Sequence, residues 1–354
     1  MRNKIEKWSL YMNANLQENI APPKGQVVEA TDLKERAEKV SELLLSDDMP
    51  NYDKNLFIQT LEELCEYSAI MKDIRDLPKV SIFGGARLQP DDPDYQVAKE
   101  MGEIMAGAGY KVITGGGPGI MQAGHEGAGR KDAVGFNIIL PFEQRSNHVI
   151  KGSKHVIDCK YFFTRKLMFL RESDAVVACV GGFGTMDELF ETITLLQTGK
   201  ARPVPLVLLE KEGGTFWDSL LEMAEKLIEH GTINRDDLYL FRRFHSAEDA
   251  ADYINNFYRR YHSIRYIGDR LVIRLKSPLP DQLYKEICEE YAEFIGDWGL
   301  VYTDALEEES DEPELSSLPR LVMKANRKKP VELYKLIRSL NRDVESTSTK
   351  RQNI

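Results

Sequence analysis

The sequence predicts an α/β fold in which a doubly wound, Rossmann-like parallel sheet is covered by helices on both faces. Between residue 79 and about residue 260, short β-rich runs alternate with amphipathic segments. The runs are KVSIFGG, YKVITGG, VGFNIIL, AVVACVGG and VPLVLLE. Because they are almost continuously apolar, we expect parallel strands that are buried on both faces. Right-handed crossovers then give the doubly wound order.

The segments between these runs have the apolar spacing of helices. We expect helices over about residues 94–108, 118–130, 162–173, 185–198 and 215–230. In the second of them, Pro118 would stand in the first turn, where its missing N–H costs nothing.

A helical segment is predicted before this region, over residues 1–78. It begins irregularly, with APPKG as a loop, and continues with one helix from Thr31 and another from about Tyr52 to Arg75. The Rossmann-like domain is then expected to occupy residues 79–261.

A small α+β domain, for dimerisation or regulation, is predicted over residues 262–345. RYIGDRLVIRL, GLVYTDAL and RLVMKA are its expected strands, and Asp281 to Ile295 and Pro330 to Leu340 its helices, in the order β-α-β-β-α. The acidic stretch EEESDEPELSSLP is predicted to be a linker. The polar end, residues 346–354, is expected to be disordered.

The amino-acid composition argues against several classes of function. The 354 residues are 42% hydrophobic and 29% charged, with a net charge of −10, which argues against a broad nucleic-acid-binding surface. The apolar runs are too short to span a bilayer, so no membrane partner is expected. Cys65, Cys159, Cys179 and Cys288 are far apart, which indicates reduced thiols in a cytoplasmic protein. The six histidines have no metal-ligand spacing, and no metal is expected.

Three of the predicted strands end in glycine clusters. These are Gly84-Gly85, Gly115-Gly116-Gly117 and Gly181-Gly182. A single cluster is also what a tight turn requires. The carboxyl ends of parallel strands, however, meet at one edge of a sheet, where free N–H groups and helix N-termini bind phosphate. Together the clusters predict one shared anion-binding edge.

The third cluster continues into a helix through the stretch VACVGGFGTMDELFE. Gly184 adds backbone freedom, and Thr185 is predicted to cap the helix and to bind an anion. Asp187 and Glu188 are placed in the first turn, where the helix dipole favours negative charge. A plain N-cap and two surface charges remain the alternative interpretation.

Two cations precede this strand. Arg165 and Lys166 are predicted near the start of a helix, where they oppose the dipole. A residue kept against local preference suggests function. Surface ion pairing is the alternative.

At these motifs the sequence resembles a known family. GGFGTMDE resembles the PGGxGTxxE signature of the LOG ("Lonely Guy") nucleotide phosphoribohydrolases, TRKLMF their RKxxM element, and GGGPGIMQA their second glycine loop. GFNIILPFEQ and LLQTGK are similar to the larger bacterial members, long labelled lysine decarboxylases. The similarity covers about residues 79–250. Val180 stands where the signature has proline, which alters the rigidity of the turn, and Asp187 replaces a frequent Glu.

The resemblance implies hydrolysis of the N-glycosidic bond of purine nucleoside 5′-monophosphates, such as AMP or N6-modified AMP, to free base and ribose 5-phosphate. It implies no cofactor, and at least a homodimer. Arg165 and Glu188 match the essential pair of the family. Contacts to substrate and phosphate are expected from Gly84, Gly85, Gly115, Gly116, Gly117, Gly119, Met121, Lys166, Gly181, Gly182, Phe183, Gly184, Thr185, Asp187 and Thr194.

Two other functions stay open at this stage. Lysine decarboxylation would need a lysine that binds pyridoxal phosphate and a partner for the pyridinium, and nothing in the sequence marks either. A nucleotide-sensing protein of the same fold would bind without turnover.

Overall fold

A seven-stranded sheet forms the centre of the computed structural model, which describes residues 30–140 and 146–342. Its strands lie in the order β4-β3-β2-β1-β5-β6-β7, and every neighbouring pair is parallel. The strands are β1 Lys79–Phe83, β2 Lys111–Thr114, β3 Ala133–Ile138, β4 Val156–Cys159, β5 Ala175–Cys179, β6 Leu206–Leu209 and β7 Arg242–Phe244. The predicted fold class is confirmed.

Helices cover both faces of this sheet. Those of the N-terminal and central regions are α1 Ala30–Leu45, α2 Asn51–Ile70, α3 Pro93–Gly107, α4 Ile120–Ala128, α5 Phe162–Glu172, α6 Phe183–Gln197, α7 Asp218–Glu229 and α8 Ala247–Phe257. Because strand side chains alternate between faces, Ile82 packs with α3, α4 and α8, whereas the adjacent Phe83 packs with α5 and α6. This two-sided burial explains the continuous apolar runs.

The switch point of the sheet lies between β1 and β5. From β1 the chain builds β2, β3 and β4 outward on one side, and then returns to place β5 on the other side of β1. The loops after β1 and β5 therefore diverge from a common gap, which is where ligands bind in doubly wound sheets.

Two strands and one helix of this region were not predicted. They are β4, β7 and α8. β4 has an exposed Asp158, and β7 consists of Arg242, Arg243 and Phe244, so neither has a continuous apolar run. Both are edge strands of the sheet. The continuous apolar run that predicts the inner strands is absent from these two because an edge strand is less completely buried.

The predicted starts of two helices were wrong. The helix predicted from residue 118 begins at Ile120, because Gly119 precedes it with a φ of +67° and cannot be helical. Conversely, α6 begins at Phe183, where the Gly182 carbonyl accepts the first amides of the helix. Thr185 is therefore the third helical residue and not the N-cap. Asp187 and Glu188 lie in the second turn.

The C-terminal region contains a second, antiparallel sheet in the order β10-β11-β9-β8. Its elements are β8 Tyr261–Ile267, β9 Arg270–Leu275, β10 Val301–Thr303, β11 Arg320–Lys324, α9 Asp281–Glu290, α10 Ala292–Ile295 and α11 Pro330–Leu340. The α+β character is confirmed, but the predicted order was wrong. RYIGDRLVIRL forms a hairpin and not one strand, because Gly268, with a φ of +58°, allows a tight turn. The order is β-β-α-α-β-β-α.

The acidic stretch of this region is not a linker. It forms two short 3-10 turns, and Glu309 is only 3% exposed. Its carboxylate accepts hydrogen bonds from Arg274 Nε at 2.7 Å and Arg320 Nε at 3.1 Å. Burial raises the pKa of Glu309, but hydrogen bonds from the Leu306 amide and both arginines lower it below its ordinary value. The acidic composition therefore serves to pair two arginines that β9 and β11 bury.

The described part of the N-terminal segment is helical, as predicted. Most of α1 is exposed, whereas Glu63 and Tyr67 of α2 are buried. The irregular start over residues 1–29 and the disordered end over 346–354 lie outside the described residues. In the described ranges, no helix has the length and apolar character that a membrane span needs.

We expect Glu309→Gln to lower the free energy of unfolding by about 3–5 kcal/mol, because it removes the carboxylate that pairs with the buried Arg320 and one of the two that pair with the buried Arg274. Urea unfolding followed by circular dichroism measures the change. Glu307→Gln is the matched control, since Glu307 lies in the same turn but is exposed. Equal midpoints for the two variants would contradict a stabilising role of the buried cluster.

Candidate functional site

Three glycine corners meet at the switch point through their backbones. The Gly85 amide donates to the Val180 carbonyl at 2.9 Å, and the Gly85 carbonyl accepts from the Ile120 amide at 3.0 Å. A Cβ on Gly119 would lie 2.2 Å from the Gly85 carbonyl oxygen, and one on Gly181 would lie 2.9 Å from the Gly85 nitrogen. The loops after β1, β2 and β5 thus form one surface, and side chains at these positions would push them apart.

The second corner packs closely against Asn137 of β3 and is hydrogen-bonded to Asn147 in the segment after it. Gly116 has a φ of +72°, and a Cβ there would lie 1.7 Å from Asn137 Oδ1. The Gly116 carbonyl accepts from the Asn147 amide at 2.8 Å, and Gly117 accepts from Asn147 Nδ2 at 3.2 Å. Only glycine satisfies this backbone conformation and this spacing.

A buried histidine holds Asn147 in place. His125 Nε2 lies 2.9 Å from the Val134 carbonyl, which can only accept, so Nε2 carries the proton and Nδ1 accepts from Asn147 Nδ2 at 3.1 Å. Burial lowers the pKa of His125 to about 4, so the ring is neutral at physiological pH. Neither His125 nor Asn147 was predicted from the sequence. The polar His125 within the apolar positions of α4 was the available signal, but it does not reveal the partner.

The third corner leaves an open approach to the start of α6. A Cβ on Gly181 would lie 2.2 Å from Thr185 Oγ1, so this glycine packs against the buried threonine. At Gly182 and Gly184, by contrast, a Cβ would meet nothing within 4 Å. The first amides of an α-helix have no partner within the helix and carry its positive dipole end. This end of α6 is therefore accessible to an anion.

Glu188 and Arg165 form a buried pair beside these corners. Arg165 Nη2 lies 3.9 Å from Glu188 Oε1, and the side chains are only 12% and 4% exposed. Lys166 Nζ lies 3.5 Å from Glu188 Oε2 and 2.9 Å from the exposed Asp187 carboxylate. Arg165 is on α5 and Glu188 on α6, and the guanidinium lies 5.0 Å from the centre of the Phe162 ring.

The polar atoms of Glu188 and Arg165 are incompletely hydrogen-bonded. Burial raises the pKa of Glu188 above its ordinary value, against the attraction of Lys166 and Arg165. Burial also lowers the pKa of Arg165, against the attraction of Glu188. Glu188 Oε2 and Arg165 Nε make no hydrogen bond within the ranges that the structure describes. Buried polar atoms without partners are costly, and perturbed groups of this kind mark functional sites.

The pair also reaches the second corner. A Cβ on Gly115 would lie 3.6 Å from Arg165 Nη1 and 2.7 Å from Met121 Sδ. A Cβ on Gly84 would meet the Ile120 side chain at 2.4 Å. Arg165, Gly115 and Met121 are therefore neighbours, whereas Gly84 supports the packing of α4.

Two of the expected site residues lie apart from this cluster. Thr194 is exposed and lies six residues beyond Glu188, about 9 Å along the helix axis. Thr192 is the residue on the same face as Glu188, whose carbonyl accepts from the Thr192 hydroxyl at 2.7 Å. Phe183 is 96% exposed. Thr194 and Phe183 therefore lie outside the cluster that Glu188, Arg165 and Lys166 form within one chain.

No group of three His, Cys, Asp or Glu residues with the geometry of a metal site occurs in residues 30–140 or 146–342. The four cysteines are free thiols, of which Cys159 and Cys179 are buried.

Comparison with known proteins finds a matching family and several proteins of similar sequence. Residues 119–254 match a family described as "Possible lysine decarboxylase". The "Probable cytokinin riboside 5′-monophosphate phosphoribohydrolase LOGL5" of Oryza sativa subsp. japonica is 34% identical over 40% of this chain and 56% of its own length. The cytokinin riboside 5′-monophosphate phosphoribohydrolase LOG7 of Arabidopsis thaliana is 33% identical over 44% of this chain and 71% of its own length. The match thus spans little more than half of LOGL5.

Solved structures give weaker matches. A molybdenum cofactor binding protein from Rippkaea orientalis is 22% identical with a TM-score of 0.37, over 50% of this chain and 95% of that one. The DNA processing protein A of Helicobacter pylori is 16% identical with a TM-score of 0.36, over 51% of this chain and 82% of that one. We draw no conclusion from either at TM-scores this low.

Fold and site together define a doubly wound α/β protein with a buried carboxylate at its switch point, beside open helix amides. The matched family and the 33% identity to LOG7 over 71% of that protein identify the family to which the chain belongs. The chain belongs to the LOG family, as the motifs indicated.

We expect Gly119→Ala to lower the free energy of unfolding by at least about 1–3 kcal/mol, because Ala is strained at this φ and its Cβ would meet Gly85. Thermal unfolding of the purified variant measures the loss. Gly107→Ala is the control, since a Cβ there meets nothing within 4 Å. A Gly119→Ala protein as stable as this control would contradict the close contact of the corners.

Proposed function

We propose that this protein hydrolyses the N-glycosidic bond of purine nucleoside 5′-monophosphates, releasing the free base and ribose 5-phosphate. The observation that carries the proposal is the buried Glu188–Arg165 pair beside an open helix N-terminus. Membership of a family whose relatives are named phosphoribohydrolases supports the same chemistry.

The phosphate of the substrate would bind at the start of α6. Gly182 and Gly184 leave the backbone open there, and the free amides and the dipole favour an anion. The Val180 carbonyl anchors the neighbouring loop by accepting from Gly85. A proline at position 180 would keep that carbonyl, so the departure from the family signature leaves this hydrogen bond available.

The reaction breaks the bond between C1′ of the ribose and the base nitrogen, and the bonding electrons leave with the base. The ribose then develops positive charge, as in glycoside hydrolysis generally. In this proposal the Glu188 carboxylate stabilises that charge and orients water for attack on C1′. The water oxygen bonds to C1′ and one of its protons passes to Glu188. The departing base takes up a proton from solvent, and Glu188 releases its proton to solvent, which restores the carboxylate.

Arg165 has two possible roles in this scheme. Its Nε is a buried donor without an acceptor in the described chain, so it has a hydrogen bond to offer to a ligand. The guanidinium is suited either to a bidentate contact with phosphate or to a hydrogen bond with the leaving base. Both roles require the guanidinium to stay where the Glu188 carboxylate holds it.

Substrates with an unmodified base are part of the proposal. The relatives are named for cytokinin riboside 5′-monophosphates. We extend the substrate class to AMP because Glu188 and Arg165 act on the sugar, the phosphate and the bond to the base. Those groups are common to all nucleoside monophosphates.

Decarboxylation through pyridoxal phosphate does not fit these residues. Lys166 is the lysine next to Glu188, and its Nζ is engaged by the Asp187 and Glu188 carboxylates and by the Asp187 carbonyl. It is not free to form a Schiff base. We therefore derive no step through that cofactor.

We also propose that the protein is a homodimer. Phe162, Phe163 and Leu167 of α5 are about half exposed, and Phe183 at the start of α6 is almost fully exposed. Apolar side chains grouped on the surface indicate an interface. Their position beside the site agrees with the dimer that the family resemblance implies.

We expect Glu188→Gln to abolish release of adenine from AMP, because Gln keeps the shape of the side chain but cannot stabilise positive charge or accept a proton. Product chromatography measures free adenine, and circular dichroism shows whether the fold is kept. Glu222→Gln, at an exposed position of α7, is the control. Turnover by Glu188→Gln would refute the assignment. AMP binding by the unaltered protein without adenine release would favour the nucleotide-sensing alternative.

The pH dependence provides a second test. Because Glu188 must be ionised and its pKa is raised, activity should fall as the pH decreases through a value above that of an ordinary glutamate. Lys166 lowers the pKa of Glu188 and Asp187 raises it. Lys166→Met should therefore move the acid limb of kcat/KM to higher pH, and Asp187→Asn should move it to lower pH. Shifts in the same direction would exclude Glu188 as the titrating group.

A further inference from the structure

Helix α5, which carries Arg165 and Lys166, has no cap of its own. Its N-cap residue, Tyr161, makes no side-chain hydrogen bond to the first turn. Arg165 ends that turn and Lys166 begins the next, and both positive side chains add to the positive end of the helix dipole, which is unfavourable. The start of α5 therefore needs support from elsewhere in the chain.

Glu63 of α2 supplies that support. Its carboxylate accepts from the Lys160 amide at 2.8 Å and also from the Thr164 hydroxyl. Glu63 is 8% exposed and Thr164 is 1% exposed, so the contact is buried. It brings a negative charge and two hydrogen bonds to the residues that begin α5, some 100 positions further along the chain.

The neighbours of Glu63 on α2 extend the contact along α5. Gln59 Oε1 accepts from Lys160 Nζ at 2.6 Å and from the Tyr161 hydroxyl at 2.9 Å. At the far end of α5, the Tyr67 hydroxyl hydrogen-bonds Glu172. Gln59, Glu63 and Tyr67 are spaced by four residues and so share one face of α2. This face holds α5 at both of its ends.

We propose that Glu63 is a positioning residue, which fixes the first turn of α5 and thereby holds the Arg165 guanidinium against Glu188. Arg165 directly follows Thr164, the residue that Glu63 contacts, so movement of this turn moves the guanidinium. The inference rests on the proposed function. Because a displacement of about 1 Å can cost a hundredfold in rate, loss of this contact should act on kcat.

The test compares variants of Glu63 in the full-length protein with AMP as substrate. We expect Glu63→Ala to lower kcat roughly ten- to hundredfold, with a much smaller change in KM, because the α6 amides proposed to bind phosphate do not touch Glu63. Glu63→Gln should recover most of kcat, since its amide can accept from Lys160 and donate to Thr164. Glu62→Ala is the matched control, since Glu62 is the exposed neighbour on the same helix.

Two further measurements separate positioning from general destabilisation. In an Arg165→Ala background, Glu63→Ala should cause no additional loss of kcat, because the contact acts through that guanidinium. Hydrogen exchange of the amides of residues 160–166 should be faster in Glu63→Ala and unchanged in Glu62→Ala. If Glu63→Ala does not fold, Thr164→Val decides, since it removes the other partner: a reduced kcat supports the inference and an unchanged one overturns it.

The outcomes distinguish this inference from the proposed function. If the unaltered protein releases adenine but Glu63→Ala has the same kcat, the positioning role is wrong and the function stands. Additive losses in the double variant would likewise overturn action through Arg165. An unaltered protein without turnover overturns the proposed function, and the role of Glu63 in that reaction with it.

Discussion

The close approach of three backbones at the switch point is the constraint on which the site depends. The Gly85 amide reaches the Val180 carbonyl at 2.9 Å, and its carbonyl reaches α4 at 3.0 Å, because no Cβ stands between the loops. This contact fixes the loop after β1 against the loops after β2 and β5. The start of α6 is then set at a defined distance from the glycine loop before α4. If these loops lay further apart, their backbone amides would no longer point toward a common anion.

The charges beside this surface carry a cost that the fold does not remove. Glu188 and Arg165 are buried, yet each retains an atom without a hydrogen bond in the described chain, and burial shifts both pKa values toward the neutral form. The buried Arg274–Glu309–Arg320 cluster is the contrast, because there hydrogen bonds lower the pKa of the carboxyl despite burial. The charges of the Arg274–Glu309–Arg320 cluster are hydrogen-bonded to one another and stabilise the fold. The Glu188–Arg165 pair is kept available, which is the usual condition of a catalytic site.

The sequence predicted what depends on local pattern and missed what depends on distant contacts. The five inner strands and their helices follow from apolar spacing, and the glycine corners from strand ends that share an edge. β4 and β7 were not predicted because edge strands lack the continuous apolar run. The acidic stretch around Glu309 resembled a linker because its composition is polar, and its contacts with arginines of β8, β9 and β11 lie far away along the chain. His125 and Asn147 are separated by 22 positions, so their hydrogen bond has no local signature.

The same distinction applies to α2. Along the sequence it is one of the helices predicted before the first strand, and Glu63 is one of several acidic residues on it. In the fold its buried face meets α5, and the carboxylate compensates for cations that the helix dipole disfavours. From the sequence, the unfavourable position of Arg165 and Lys166 suggested function, with surface ion pairing as the alternative. The contact with Glu63 shows that the cost is partly offset by a distant side chain, so the geometry of the Arg165–Glu188 pair depends on a segment outside the Rossmann-like sheet.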